Sequence, residues 1–132
     1  MQNPDHPSAG GLAALAGIEV LELGEDRATA RMPVTDAIRQ PFGLVHGGAL
    51  AALSEQLASQ ATLEVVFQEG DIAIGQSNYT SFLRPISDGT VRAEAIRLHR
   101  GRTTWLWDVR MSDDDGRLCA LSRITLAVRP RP

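Results

Sequence analysis

The pattern of hydrophobic positions is most regular between residues 48 and 67. Leu50, Leu53, Leu57 and Ala61 recur there at the i, i+3, i+7 and i+11 spacing of one helix face. The sequence QEGD at residues 68 to 71 breaks this pattern, and its glycine favours the end of a helix. We therefore expect one long helix over residues 48 to 67.

Hydrophobic and polar residues alternate on both sides of this helix, which is the period of a half-buried β-strand. Residues 12 to 17 predict a short helix that ends at Gly17, and residues 18 to 34 predict a hairpin around the sequence GED. After the long helix, four alternating segments are separated by turn sequences, and we expect them to form a meander. Strands on both sides of one helix are typical of the α+β class. The predicted fold is an antiparallel sheet curled around one long central helix.

The length of the chain, 132 residues, is that of one domain. The first residues are polar and rich in proline and glycine, which is typical of a loose terminus. We predict a flexible tail over residues 1 to 11 and a single domain over residues 12 to 132.

Charge and cysteine content argue against several functional classes. The formal net charge is −3, so no general basic field favours nucleic acid, although all 13 basic residues are arginine. Cys119 is alone and the three histidines are far apart, so we expect neither a disulfide framework nor a metal site. The N-terminus does not resemble a signal peptide, and no apolar run approaches the roughly 18 residues of a membrane span. These features predict a cytoplasmic protein that binds neither nucleic acid nor membranes.

Glu55 is the one charged residue between Gly47 and Leu63 on the predicted long helix. On a helical wheel the residues that share its face are small: Ala51, Ala58, Ser59 and Thr62. A ligand or another backbone could therefore approach this face closely. If this face is covered, the loss of water would tune the carboxylate for work as a base or nucleophile. If it is not covered, Glu55 is an ordinary surface glutamate, and composition alone leaves both interpretations open.

The sequence His46-Gly47-Gly48 stands where the helix is predicted to begin. The first backbone N–H groups of a helix have no partner within it, so they can bind an anion or an oxyanion. Glycine at this place lets a substrate carbonyl approach the backbone. One helix therefore offers a donor for an oxyanion at its start and a carboxylate two turns later.

The stretch VHGGALAALSEQLAS resembles the signature of hotdog-fold acyl-CoA thioesterases with glutamate in the catalytic position. This group includes the 4-hydroxybenzoyl-CoA thioesterases of the Arthrobacter type, while the related phenylacetate-pathway thioesterases usually have aspartate there. Gln40, His46, Glu55 and Ser59 stand at the spacing of that signature, and the resemblance covers roughly residues 12 to 129.

The resemblance implies a division of labour among these residues. The Gly47 amide would polarise the thioester carbonyl, and Glu55 would attack it or activate a water molecule. Ser59 would orient Glu55 or the water, while Gln40 and His46 would bind the thioester and help to release the thiol. The resemblance also implies a dimer or tetramer whose active sites lie at a dimer interface, with no cofactor and no metal.

Coenzyme A needs a channel as well as a catalytic centre. Segments 81 to 84 and 98 to 103 are similar to family segments that line this channel, and arginine suits its phosphates. We interpret Arg100 alone as an arginine that solvates a strand end. The predicted CoA-binding residues are Ser81, Arg84, His99, Gly101, Arg102 and Thr103.

The resemblance favours an aryl-CoA or another compact acyl-CoA as the substrate. We expect the acyl group to lie in an apolar slot lined by Phe42, Leu44, Val45, Thr62, Leu63 and Phe67. Two alternatives stay open: a hotdog-fold enoyl-thioester dehydratase or hydratase, and a non-catalytic acyl-CoA-binding protein. The glutamate after the His-Gly-Gly sequence fits the first alternative less well, and the chain has no basic arm that would support a regulatory role.

Overall fold

The computed structural model describes residues 11–132, which form two helices, six strands and two short 3-10 turns. The predicted tail over residues 1 to 11 lies outside this range except for Gly11, and the division into tail and domain stays a prediction. The elements are α1 (Leu12–Ala16), β1 (Glu19–Leu23), β2 (Arg27–Pro33), a 3-10 turn (Asp36–Ile38), α2 (Gly47–Val66), a second 3-10 turn (Phe67–Glu69), β3 (Asp71–Phe82), β4 (Thr90–Arg100), β5 (Thr104–Ser112) and β6 (Leu118–Pro130).

The six strands form one sheet in the order β1-β2-β4-β5-β6-β3, and every neighbouring pair is antiparallel. The predicted α+β class, with an antiparallel sheet around one long helix, is confirmed. The predicted meander holds for β4, β5 and β6 but is wrong for β3, which pairs with β6. β3 is therefore an edge strand. Alternation along a strand indicates its buried face but not its partner, and β3 and β6 match in length as the two longest strands.

Helix α2 begins and ends one residue earlier than predicted, and a 3-10 turn over Phe67–Glu69 follows it. Gly70 adopts a left-handed conformation with φ of 89° after the second 3-10 turn, a conformation that glycine adopts without steric cost. No helix within residues 11–132 is both long enough and apolar enough to cross a membrane.

The core lies between α2 and the inner face of the sheet. Leu50, Leu53, Leu57 and Ala61 are all buried, as their spacing predicts. Trp107 of β5 packs on the same helix, and its indole N–H donates a 2.9 Å hydrogen bond to the Thr62 hydroxyl. The Thr62 hydroxyl in turn donates a 2.8 Å bond to the Ala58 carbonyl, so the buried indole N–H and the buried hydroxyl both have partners.

The buried face of α2 is wider than a single stripe, because β2, β3, β4, β5 and β6 all contact the helix. Ala58 and Thr62 are fully buried, although the helical wheel groups them with Glu55. That grouping is wrong, since the curled sheet covers more of the helix than the stripe of roughly 100° that a surface helix usually buries. The remaining open strip carries Glu55, with Ala51 and Ser59 half-buried beside it.

Candidate active site

Glu55 lies midway along α2, on the open strip of the helix, and its carboxylate points toward β3. The side-chain amide of Asn78 on β3 donates a 3.2 Å hydrogen bond to Oε1 of Glu55. Within residues 11–132 Glu55 forms no ion pair, as the lack of charged neighbours on the helix suggests. The carboxylate is thus held by a neutral donor and remains open to solvent in the single chain.

Asn78 belongs to a chain of hydrogen bonds that runs back into the sheet. The Thr80 hydroxyl donates a 2.7 Å bond to Oδ1 of Asn78, and the hydroxyl oxygens of Thr80 and Ser122 are 2.7 Å apart. Thr80 has a single hydroxyl proton, so Ser122 must be the donor in the second bond. Ser122 lies opposite Thr80 in the β3–β6 ladder and is buried, so the chain is anchored in the core.

The other carboxylate oxygen of Glu55 lies against Gly75. A Cβ atom added to Gly75 would stand 2.9 Å from Oε2, closer than real Cβ contacts. Gly75 also lies where the β3–β6 register shifts before Ser77. A glycine inside a strand often marks a bulge or a close approach, and here it marks both.

Sequence reasoning missed both β3 residues. A glycine and an asparagine within an otherwise strand-like run, IAIGQSNYTSFL, are the signals that could have identified them. Their position opposite Glu55 depends on the pairing of β3, which the sequence does not reveal.

Glu55, Ser59 and Asn78 line one open groove of about 340 Å³. The rest of its lining is small or flexible: Leu12, Gly48, Ala51, Ala52 and Gln56. The structure thus brings together two of the predicted catalytic residues, Glu55 and Ser59, and adds Asn78 to them. Small side chains leave room for a narrow, extended group such as a thioester arm.

The start of α2 offers free backbone donors, as predicted. His46 caps the helix with extended backbone, and its amide donates a 2.7 Å bond to the Ile38 carbonyl. The following Gly47 amide is the first of the helix, where an N–H group has no intrahelical partner. The Phe82 ring lies against this glycine, since an added Cβ would be 2.9 Å from its Cζ atom. The His46 side chain is exposed to solvent.

Gln40 lies in a tight loop before α2 and not in the groove beside Glu55. Its backbone amide donates a 2.7 Å bond to the Leu44 carbonyl, and its side-chain Oε1 accepts a bond from the backbone amide of Phe42. The neighbouring bridge between Arg39 and Val45 closes the same loop. The carboxamide oxygen is therefore engaged in holding the loop, which fixes the side chain near the start of the helix.

The predicted CoA-binding residues divide between opposite ends of α2 in the single chain. Ser81 lies in β3 and Arg84 lies two residues beyond the end of this strand. Both are near the start of α2, where the Phe82 ring touches Gly47. By contrast, Gly101 and Arg102 line a groove of about 250 Å³ together with Val66, which is the last residue of the helix. His99 and Thr103 flank the same turn and are exposed. The chain alone does not unite these six residues into one channel.

Arg100 has a different environment from its neighbours. Its guanidinium forms ion pairs with Glu25 and with Glu69, the latter at 3.0 Å. It also stacks over the Trp105 ring at 5.0 Å from the centroid, and Arg97 stacks there at the same distance. These contacts join the β1–β2 turn, the 3-10 turn after α2 and β5.

Residues 11–132 of a single chain do not form the apolar slot predicted for the acyl group. Thr62 is fully buried in the core and bonded to Trp107, whereas Phe42 is 89% exposed before the start of the helix. Phe67 is buried beyond the last turn of the helix, with the Arg131 guanidinium 4.3 Å from its ring centroid. The prediction failed because it collected apolar residues by their proximity in sequence and not by the face they occupy.

Several known proteins that resemble this chain are named thioesterases. The family described as the thioesterase superfamily matches residues 42–120. The proofreading thioesterase EntH of Cronobacter turicensis is 41% identical over 121 residues, which are 92% of this chain and 88% of that protein. A mutant thioesterase from Pseudomonas aeruginosa superposes with a TM-score of 0.87 at 38% identity, covering 91% of this chain and 86% of that chain. A mutant thioesterase from Staphylococcus aureus superposes with a TM-score of 0.86 at 30% identity, covering 90% and 98% of the two chains.

Proposed function

We propose that this chain, a hotdog-fold thioester hydrolase that belongs to the thioesterase superfamily, hydrolyses acyl thioesters of coenzyme A with Glu55 as its catalytic carboxylate. The observation that carries the proposal is the setting of Glu55: a carboxylate without an ion-pair partner in residues 11–132, held by Asn78, in a groove lined by small side chains. Such a carboxylate is free to attack a carbonyl or to activate water.

The distance between Gly47 and Glu55 supports a site shared by two subunits. They are eight residues apart on one straight helix, which corresponds to roughly 12 Å along its axis. An amide that stabilises the oxyanion must be about 3 Å from it, and the attacking group must be equally close to the carbonyl carbon. One thioester therefore cannot use both groups of the same chain. A two-fold related copy, with its helix antiparallel, would supply Gly47 opposite Glu55.

The edge strand β3 is the surface that suits this copy. It is 12 residues long, and no strand within residues 11–132 pairs with its outer side. Ile74, Tyr79 and Phe82 on this strand are at least half exposed. A long, apolar, unprotected edge is a template for pairing with another chain. Antiparallel pairing of two β3 strands would give the two-fold symmetry that the shared site needs.

The same symmetry would unite the CoA-binding residues. Antiparallel helices place the start of one α2 beside the end of the other. Ser81 and Arg84 of one chain would then lie on the same side of the dimer as His99, Gly101, Arg102 and Thr103 of its partner. Exposed arginines at both places suit the phosphates of the nucleotide end.

In this mechanism the Gly47 amide polarises the thioester carbonyl, and Gln40 and His46 bind the thioester near the helix start. Glu55 of the other subunit attacks the carbonyl carbon or takes a proton from the attacking water. The C–S bond then breaks, and the sulfur takes up a proton and leaves as the thiol of coenzyme A. If Glu55 activates water, the acid forms in the same step and the proton that Glu55 took passes to the sulfur. If Glu55 attacks directly, water then splits the acyl–Glu55 anhydride and releases the acid and the free carboxylate. Ser59, one turn beyond Glu55, lines the same groove without a hydrogen bond to the carboxylate, and we assign it the orientation of the attacking water.

A Staphylococcus aureus relative lends support to two of these residues. That protein has been crystallised as a glutamine-to-alanine mutant and as a glutamate-to-alanine mutant, and the two substituted residues are 15 positions apart. Gln40 and Glu55 are separated by the same 15 positions in this chain.

Aryl-CoA and other compact acyl-CoA thioesters are the substrates we favour, by resemblance to thioesterases with glutamate at this position. The test compares kcat/KM for benzoyl-CoA, phenylacetyl-CoA, hexanoyl-CoA and palmitoyl-CoA with a reagent that detects the released thiol. A preference for palmitoyl-CoA above about tenfold, or roughly 1.4 kcal/mol, would contradict the aryl proposal. Binding of these thioesters without release of thiol would instead favour the hydratase or the non-catalytic alternative.

A further inference from the structure

We propose that Asn78 is a positioning residue for Glu55, which it holds through a relay of hydrogen bonds anchored at Ser122. The inference rests on the proposed function, because it assigns a role to Asn78 in the work of that carboxylate. Asn78 and Gly75 are the two residues of β3 beside Glu55, and the mechanism above assigns a role to neither of them.

The two groups on the helix side fix which way the Asn78 amide points, because the Ala51 carbonyl and the Glu55 carboxylate can only accept hydrogen bonds. The NH2 group must then face the helix, where it donates at 3.0 Å to the Ala51 carbonyl and at 3.2 Å to Oε1 of Glu55. Oδ1 accepts the only hydroxyl proton of Thr80, and Thr80 in turn accepts from the buried Ser122. The two hydroxyls complete the network by satisfying Oδ1 on the sheet side of the amide.

Asn78 is not needed to satisfy the helix backbone. The Ala51 carbonyl already accepts a 2.9 Å bond from the Ser54 hydroxyl, besides its place in the helical ladder. The carboxylate of Glu55, in contrast, receives no other hydrogen bond from the side chains of residues 11–132. Burying the polar side chain of an asparagine costs free energy unless it forms hydrogen bonds. For Asn78, the bond with a functional consequence is the one to Glu55.

Asn78 and Gly75 together fix both oxygens of the carboxylate. Asn78 binds Oε1, and the absence of a side chain at Gly75 leaves room for Oε2. A flexible glutamate on an open helix face would otherwise sample several rotamers. Holding it in one geometry lowers the entropy that must be lost when the thioester is attacked.

The decisive variants separate positioning from packing. Asn78→Leu keeps the branched shape of the side chain but removes the donor, and Thr80→Val removes the hydroxyl that binds Oδ1 of Asn78 without touching Glu55. We expect Asn78→Leu to lower kcat roughly 10- to 100-fold with KM within about twofold, and Thr80→Val to lower kcat less. The matched control is Thr125→Val, the same change on the outer face of β6, which should leave kcat unchanged.

A spectroscopic measurement gives a readout without turnover. The side-chain carboxyl ¹³C resonance of Glu55, assigned by its disappearance in Glu55→Gln, should move in Asn78→Leu and stay in place in Thr125→Val. A wild-type protein that cleaves no acyl-CoA would contradict the proposed function. An active wild type, with kcat and the Glu55 resonance unchanged in Asn78→Leu, would overturn this inference alone. A fall in kcat with an unchanged resonance would also overturn it, because Asn78 would then act elsewhere.

Discussion

A methyl group added to Gly75 would stand 2.9 Å from Oε2 of Glu55, and its three nearest atoms would all belong to that glutamate. The strand and the carboxylate therefore occupy complementary space. This contact makes the glycine a sensitive probe of where the carboxylate must be.

Gly75→Ala should displace the Glu55 carboxylate by about an ångström and lower kcat roughly 10²-fold. Thermal unfolding supplies the control. In a Glu55→Ala background the added methyl meets no carboxylate, so Gly75→Ala should be neutral or stabilise by about 0.4–1 kcal/mol through the unfolded state. Equal effects on unfolding in the two backgrounds would show that the contact has no energetic consequence.

Glu55→Ala should reduce the hydrolysis of every accepted acyl-CoA by at least about 10² to 10⁴, because the base or nucleophile is lost. The fold should persist, since Glu55 is exposed and forms no ion pair within residues 11–132. Glu64→Gln removes a carboxylate from the same helix and serves as the control. Near wild-type rates in a folded Glu55→Ala protein would exclude this residue as the catalytic carboxylate.

The role of the Gly47 amide can be tested by removing its proton alone. Proline is tolerated at the first position of a helix, and His46 already has the extended backbone that precedes a proline, with ψ of 132°. We expect Gly47→Pro to lower kcat roughly 10²- to 10³-fold, the usual cost of losing an oxyanion donor. Gly47→Ala brings a Cβ to the same place near Phe82 but keeps the N–H, so it should be clearly more active than Gly47→Pro. Equal losses in the two variants would assign the effect to crowding by Phe82.

A mixture of Glu55→Ala and Gly47→Pro chains should recover activity that neither variant has alone. If each site takes its amide from one chain and its carboxylate from the other, half of randomly mixed dimers are mixed and each has one intact site. The mixture should then reach about a quarter of the wild-type rate after subunits exchange. Failure to recover, in a sample that sedimentation shows to contain mixed dimers, would place both groups in sites within a single chain.

Cys119 should not disturb an assay that detects free thiol. Burial raises the pKa of its thiol, and the nearby charge of Asp113 raises it further. The folded protein therefore favours the protonated thiol, and the stability linked to this group is fully present below the ordinary pKa of a thiol and is lost as the pH rises through the raised pKa of Cys119. We expect a thiol reagent at pH 8 to label Cys119 only after unfolding by denaturant. Rapid labelling of the native protein would show that the side chain is accessible.

Local features of the fold were predictable because local sequence determines them. The spacing of Leu50, Leu53 and Leu57 identified α2, and Gly17 and Gly70 marked the ends of helices. The alternation in residues 90 to 130 identified three strands and their turns for the same reason.

What the sequence did not reveal depends on contacts between distant residues. The pairing of β3 with β6 joins residues about 40 to 60 positions apart, and the placement of Asn78 and Gly75 beside Glu55 follows from it. The burial of Ala58 and Thr62 likewise depends on how far the sheet curls. Periodicity identifies which face is apolar, but it does not measure how much of a helix its neighbours cover.

One strand, β3, carries the two residues that hold Glu55 and also presents the open edge of the sheet. If a second copy docks at that edge, the number of complete active sites depends on the equilibrium between monomers and dimers. Dilution below the dissociation constant would separate the amide of one chain from the carboxylate of the other. The turnover of each chain would then rise with the concentration of the protein and level off only when every edge is paired.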